Sequence, residues 1–207
     1  MTLQNRVLPD GEIVAVAARG MFTGNRGILH GADRRLGTRR WTHPHWLICT
    51  LSHPRGVHHG PMPARGWTAL FFLDEAVALA AGHRPCAYCR RRAYDIWAAA
   101  WAEGIGGDTG HKTMDRVLHG ARVTRARTQI RHEARAESLP DGAFIRIGDR
   151  PALIRADRAL PFAPDGYGMA MARPRGPVTV LTPRPTLAVL HAGYAPALHR
   201  SAGSAQP

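Results

Sequence analysis

Residues 74–90 read DEAVALAAGHRPCAYCR, and this stretch carries the strongest local signals in the chain. Asp74 can accept hydrogen bonds from the first free backbone amides of a helix. Gly82 readily takes the left-handed conformation that ends one. The sequence therefore predicts a short helix over residues 75–81, and a second helix is predicted from Pro85–Cys86 to about residue 103.

A CxxC motif, Cys86-Ala-Tyr-Cys89, lies at the predicted start of the second helix. Such a turn can point two sulfur atoms at one ion, and tetrahedral Zn²⁺ then needs two further nitrogen or sulfur ligands. Cys49 is the natural third ligand, with a buried small side chain as the alternative. A redox pair is the other interpretation of CxxC, but the preceding helix does not fit the usual βαβ context. Three cysteines, an odd count, argue against a disulfide framework.

The fourth ligand has to be sought among 12 histidines. His30 follows an apolar pair after a GNRG turn, and His83 lies three residues before Cys86. The remaining candidates in the first half crowd the loops at His43, His45, His53, His58 and His59.

Residues 74–90 resemble the second half of the zinc-binding module of the Ada alkylation-response proteins, in which EA.A.AAG, an aromatic residue and RPCxxC follow one another. Residues 24–30 (GNRGILH) are loosely similar to its upstream part. The resemblance implies that Cys86 and Cys89 are zinc ligands. His30 and Cys49 are assigned as the upstream pair, which completes a Cys₃His site for Zn²⁺. His83 occupies the position of an aromatic ring and is expected to pack rather than to bind metal.

The sequence departs from that module in one respect that concerns chemistry. The Ada module accepts a methyl group on a cysteine of a closely spaced upstream pair, and only Cys49 precedes the CxxC motif here. We therefore expect a closed, structural zinc site.

Gly- and Pro-punctuated segments and alternating apolar residues predict an α+β fold. A small zinc module of β-hairpins and two helices, with N-terminal strands, is expected over residues 1–105. A helical connector is expected over residues 106–138. A β-rich C-terminal region is expected over residues 139–207. Predicted strands include residues 12–18, 46–51, 68–73, 143–147, 152–155 and 178–181, and a helix is predicted over residues 186–192.

Basic side chains outnumber acidic ones by 28 to 15, which gives a net charge of +13. Such a charge favours polyanions, so DNA or RNA is the expected partner. Candidate phosphate contacts are Arg90, Arg91 and Arg92, and Arg39 and Arg40 beside the aromatic residues Trp41 and Trp46. The run over residues 122–135 is the densest basic stretch. A solvated surface and buried Trp side chains are the alternatives.

Catalytic motifs such as GxSxG, HExxH, a P-loop or the HxE half of a zinc deaminase are absent. The leading interpretation is a structural zinc protein that binds nucleic acid. A zinc enzyme using the histidine-rich loop over residues 53–59, and an interaction protein without a nucleic-acid role, remain alternatives. No apolar run approaches the ~20 residues of a membrane span, and the N-terminus lacks a secretory signal pattern, so a cytoplasmic location is expected.

Overall fold

The computed structural model describes residues 2–52 and 66–204, and these residues form an α+β fold with two β-sheets and five α-helices. The predicted fold class is therefore confirmed. One sheet belongs to the N-terminal half of the chain and the other to the C-terminal half.

The first sheet carries the segment around Cys49. Its strands lie in the order β2-β1-β5-β3-β4-β6. β3 pairs antiparallel with β4 and with β5, whereas β4 and β6 are parallel neighbours. The strand predicted over residues 12–18 is shorter than expected. The strand bounds are β1 Arg6–Val7, β2 Ile13–Val14, β3 Phe22–Asn25, β4 Leu47–Thr50, β5 Leu70–Phe72 and β6 Arg84–Pro85.

The first helix, α1 (Glu75–Ala80), forms as the sequence predicts. Asp74 caps it by accepting a hydrogen bond from the amide of Val77 at 3.0 Å. Gly82 follows the helix with a φ of +86°. Every residue of α1 is buried, so the helix packs on all sides.

The second helix begins later than the sequence indicated. α2 runs from Arg91 to Gly104, whereas the prediction placed its start at residues 85–86. Pro85 instead belongs to β6, because its strand pairs with β4, and the CxxC motif forms the turn between strand and helix. In the expected connector, a shorter helix α3 (His111–Arg122) is followed by the strand β7 (His132–Arg135).

The second sheet has the order β11-β10-β9-β8-β13-β7, with β12 paired to β10. A 3₁₀ turn, Ala136–Ser138, follows β7 and precedes the next strand of this sheet. Pro185 is tolerated in the first turn of α4, which therefore begins two residues before the prediction. The bounds are β8 Phe144–Ile147, β9 Arg150–Arg155, β10 Arg158–Ala163, β11 Gly166–Tyr167, β12 Met171–Ala172, β13 Pro177–Val180, α4 Arg184–His191 and α5 Ser201–Ser204.

One hydrophobic cluster joins the two halves of the chain. It contains Phe72 and Trp97 from the N-terminal half together with Phe144 and Leu190 from the C-terminal half. The ring of Trp97 meets that of Tyr194 edge to face, with centroids 5.2 Å apart. Trp97 and Trp101, four residues apart on α2, are both fully buried. The division of the chain at residues 105 and 138 into separately folding parts stays a prediction.

The substitution Gly82→Ala is expected to destabilise the fold. A positive φ costs a residue with a side chain about 1–3 kcal/mol, and the new methyl carbon would lie 2.9 Å from Arg122 Cβ. Denaturant unfolding measures the loss. Gly193→Ala is the matched control, because its φ is +92° but nothing lies within 4 Å of its added carbon. Equal losses in the two variants would show that the contact with Arg122 contributes nothing.

Candidate metal centre and basic cleft

Two neighbouring strands bring Cys49 and Cys86 together. β4 and β6 run parallel, with Leu47 opposite Arg84 and Ile48 opposite Pro85. The amide of Cys86 donates to the carbonyl of Ile48 at 3.0 Å. Because Cys49 and Cys86 each follow one of the paired residues, their side chains meet at the edge of the sheet.

The turn after β6 returns Cys89 to the same place. The amide of Arg90 donates to the carbonyl of Cys86 at 3.1 Å, which closes the turn. The amide of Tyr88 donates to Cys86 Sγ at 3.4 Å. As a result, the sulfur atoms of Cys49, Cys86 and Cys89 all lie within 4.8 Å of one another. Cys86 is buried, and the other two are partly exposed.

This donor set fits a zinc ion. A Zn–S distance of about 2.3 Å with tetrahedral angles places sulfur atoms roughly 3.8 Å apart. Closing the group around an ion therefore needs a contraction of about 1 Å at most. Thiolates also select soft or borderline ions over Mg²⁺ and Ca²⁺. The three cysteines could thus bind a metal ion.

The thiols are coupled through hydrogen bonds. Hydrogen bonds from Cys49 and Cys89, with backbone amides adding to them, lower the pKa of Cys86. Cys49 acts as donor to Cys86 and Cys89, and this together with burial raises its pKa. The remaining thiol protons would leave when a metal ion binds.

A buried ion pair anchors the strand that presents Cys86. Arg84 donates from Nε and Nη2 to the two carboxylate oxygens of Asp115 at 2.8 and 2.7 Å. Only 3% of the Arg84 side chain and none of the Asp115 side chain is exposed. This pair ties β6 to α3.

The structure does not bring His30 to the cysteines. The imidazole Nδ1 of His30 lies 3.3 Å from the hydroxyl of Thr68, which also accepts from the amide of Leu29. Thr68 precedes β5, and β3 lies between β5 and β4. Among the described residues, His30 is not part of the group whose ligand atoms lie within 4.8 Å of one another. The structure thus does not group His30 with the cysteines, and its role as fourth ligand stays a prediction.

Within residues 2–52 and 66–204, no further His, Cys, Asp or Glu completes the group of three sulfurs. The histidine-rich loop over residues 53–59, with His53, His58 and His59, lies outside the described residues. His43 and His45 lie against each other, with ring centroids 5.7 Å apart. His45 Nδ1 is 2.6 Å from Asp115, so this ring belongs to the ion pair that anchors β6.

Arg90 is not placed as a surface phosphate contact. Its Nη1 and Nη2 donate to the carboxylate of Glu75 at 2.6 and 2.9 Å, and its side chain is only 9% exposed. Burial lowers its pKa, but the hydrogen bonds and charge of Glu75, with Cys89 nearby, raise it overall. Arg90 therefore links the turn that carries Cys86 and Cys89 to α1. Arg91 and Arg92 are exposed, and Arg91 pairs with Asp95 at 3.2 Å.

Arg39 and Arg40 line an open cleft that a distant segment completes. Arg127 Nη1 donates to the carbonyl of Thr38 at 2.8 Å and so joins the two segments. The cleft has a volume of about 370 Å³. We call it the basic cleft, and its lining residues are Arg39, Arg40, Trp41, Thr42, Arg125 and Arg127. Two of these arginines come from the basic run that the sequence singled out over residues 122–135.

Trp46 lies beneath the cleft rather than in it. Its side chain is 1% exposed, so it cannot stack on a base. Trp41 is partly exposed, and its ring centroid lies 5.9 Å from that of Trp46. Arg122, from the same basic run, is also buried. Sequence reasoning missed this burial of arginine side chains, and no periodicity or spacing around them signals it.

His83 packs between rings, as its position in the sequence pattern predicted. Its centroid lies 5.3 Å from that of Trp46 and 4.6 Å from that of Phe72. Burial, and then the charges of Arg26 and Arg122, lower its pKa well below the usual value. The ring is therefore neutral in the folded protein.

The substitution His83→Phe is expected to reduce the loss of stability in acid. Because the folded pKa of His83 is lowered, the unfolded chain takes up its proton first, and stability falls as the pH drops below about 6.5. One such proton changes the unfolding free energy by about 1.4 kcal/mol per pH unit. Urea unfolding of both proteins between pH 5 and 8 measures this. Parallel pH profiles would contradict a neutral, buried His83.

No helix among the described residues has the length and apolar composition needed to cross a bilayer. Comparison of the chain with protein-family models, with curated proteins and with solved structures gave no match. The interpretation of the site therefore depends on the geometry of its own residues.

Proposed function

We propose that this chain is a zinc-binding protein in which Cys49, Cys86 and Cys89 hold a structural Zn²⁺ ion, and that it binds nucleic acid. The observation that carries the metal assignment is the convergence of three sulfur atoms within 4.8 Å from two separate parts of the chain. The ion would join β4 to the turn before α2. A metal ion in that position supplies folding free energy.

The basic cleft supports the second part of the proposal. Four arginine side chains and Trp41 line it. Arginine binds phosphate oxygens through paired N–H groups, and an exposed indole offers a stacking surface for an unpaired base. The overall charge of +13 adds long-range attraction for a polyanion. Single-stranded nucleic acid is the form that suits an open cleft with one aromatic wall.

Metal content tests the first part. Protein purified under reducing conditions without added zinc is expected to contain one zinc ion per chain, and Cys86→Ser is expected to lose it. His30→Ala is the matched control and should retain the ion, because His30 lies beside Thr68 rather than in the sulfur group. Metal-free wild-type protein, or loss of zinc in His30→Ala, would overturn this site.

Salt-dependent binding of a short oligothymidylate tests the second part. The double variant Arg39→Gln/Arg125→Gln should flatten the plot of log affinity against log salt by roughly 1.4, because each lost phosphate contact on a single strand removes about 0.7. Arg150→Gln/Arg175→Gln removes the same charge from two exposed positions in the C-terminal half and should leave the slope unchanged. Equal effects of the two pairs would show that binding follows net charge and does not use the cleft.

A further inference from the structure

Two buried arginine side chains lie on the indole of Trp46. The guanidinium carbon of Arg26 is 4.0 Å from the ring centroid and that of Arg122 is 3.9 Å from it. Arg26 is 2% exposed and Arg122 is 1% exposed. Within the described part of the chain, neither has a carboxylate oxygen within 4.0 Å. Two positive charges are thus buried against one indole ring, and neither forms an ion pair with a carboxylate of the described residues.

The hydrogen bonds of these two side chains are also incomplete. Arg26 donates to His83 Nε2 at 3.3 Å and to the carbonyl of Gly11 at 3.2 Å. Arg122 donates to the carbonyls of Gly82 and Pro44 at 2.7 and 2.6 Å. Arg26 Nη2 and Arg122 Nε are buried and have no hydrogen-bond partner among the described residues. Stacking on an aromatic ring offsets only part of the free energy lost on burying a charge.

Both side chains line a small cavity that we call the Trp46 pocket. Its walls include Arg26, Arg40, Trp46, Arg122, Arg127 and Gln129. Its volume is about 40 Å³. One water requires roughly 10–15 Å³ of such space, so the pocket has room for about three waters or for one tetrahedral oxyanion. Arg40, Trp41 and Arg127 line both this pocket and the basic cleft, which places the pocket at the cleft's inner end.

The charges around the pocket match a dianion. Four arginines line it, opposed by the carboxylates of Asp10 and Glu12, which leaves a formal charge of +2. Gln129 Oε1 is a buried acceptor without a partner in the described residues, so it suits a water or a protonated oxygen. An internal phosphodiester carries one charge and is flanked by sugar on both sides. A phosphomonoester carries close to two charges at neutral pH and has three free oxygens.

We propose that the Trp46 pocket binds a phosphomonoester group, with Arg26 Nη2 and Arg122 Nε as buried donors and Arg40 and Arg127 at its entrance. A phosphorylated strand end or a free mononucleotide could supply this group. The choice of a strand end depends on the proposed function, because the rest of the strand would then lie in the basic cleft. The pocket itself does not depend on that choice.

The test uses the full zinc-loaded chain and two oligothymidylates that differ only in a 5′-phosphate, at constant ionic strength. The phosphorylated strand should bind about tenfold more tightly, the factor expected for one or two additional charge-assisted hydrogen bonds. Inorganic phosphate should remove this advantage by competition. Thymidine 5′-monophosphate distinguishes the sources: competition at the affinity of the phosphorylated strand indicates a free mononucleotide, and weaker competition indicates a strand end.

Three surface variants locate the effect. Arg40→Gln should reduce the ratio of the two affinities, because Arg40 lines the pocket. Arg39 lines the basic cleft but not the pocket. Arg39→Gln should therefore weaken the binding of both strands equally and leave the ratio of the two affinities unchanged. Glu12→Gln removes a repelling carboxylate at an exposed position and should raise the ratio.

Equal affinity for the two strands, together with no binding of inorganic phosphate, would overturn the pocket assignment. If both strands still bind with a salt-dependent affinity, the proposed nucleic-acid function survives that result. If inorganic phosphate binds and neither strand does, the pocket assignment stands and the nucleic-acid function fails. A ratio that responds equally to Arg39→Gln and Arg40→Gln would also count against the pocket.

Discussion

Removal of zinc by a chelator is expected to lower the melting temperature of the protein by roughly 10–20 °C. Loss of a structural metal belongs to the changes that cost more than about 4 kcal/mol, and each kcal/mol shifts a domain of this size by about 2–4 °C. The physical reason is that the proposed ion would hold β4 to the turn before α2. Without it, only the weaker hydrogen bonds among the thiols would join the three side chains.

Calorimetry of zinc-loaded protein with and without chelator, under reducing conditions, measures this effect. Cys86→Ser should melt near the temperature of the chelated wild type and should show no further change when the chelator is added. If the chelator lowers the melting temperature of both proteins equally, it acts at a site other than the cysteine group. An unchanged melting temperature in the wild type would show that the three sulfurs do not hold a stabilising ion.

The second large effect is expected for Glu75→Ala, which should destabilise the fold by about 3–5 kcal/mol. That is the usual penalty for removing one partner of a buried ion pair. Besides pairing with Arg90, the Glu75 carboxylate accepts from the hydroxyl of Tyr194 at 2.6 Å and from the amide of Ala197 at 2.9 Å. The substitution therefore leaves a buried guanidinium and two donors without an acceptor.

Denaturant unfolding of Glu75→Ala measures this loss, with Glu103→Ala as the matched control. Glu103 is exposed on α2, so its removal should change the unfolding free energy by less than about 0.5 kcal/mol. Tyr194→Phe removes a single hydrogen bond, so its loss of unfolding free energy should lie between those of Glu75→Ala and Glu103→Ala. If Glu75→Ala is no worse than Tyr194→Phe, then the pair with Arg90 contributes little to stability.

These contacts explain how the C-terminal half stabilises the turn that carries Cys86 and Cys89. Glu75 joins Arg90, beside the cysteines, to Tyr194 and Ala197 in the last part of the chain. The neighbouring Asp74 accepts from the hydroxyl of Tyr167 at 2.8 Å and from the amide of His199 at 3.0 Å. Two adjacent acidic residues at the start of α1 thus connect both sheets.

The sequence by itself determined the features that depend on neighbouring residues. Asp74 and Gly82 bound α1, because capping and a positive φ act through the adjacent backbone. The CxxC spacing indicated a shared ligand role for Cys86 and Cys89. Cys49 does lie beside them, although its choice came from counting cysteines and not from any local pattern, and its ligand role stays a prediction.

Only the tertiary structure decided which distant segments meet. The pairing of β4 with β6 places Cys49 beside Cys86, whereas His30 lies against Thr68. The side chain of Arg90 is largely buried because Glu75, fifteen residues earlier in the chain, lies against it and accepts its hydrogen bonds. Arg26 and Arg122 meet on Trp46 although 96 positions separate them in the chain. Such contacts depend on the free energy of the whole core, which no short stretch of sequence contains.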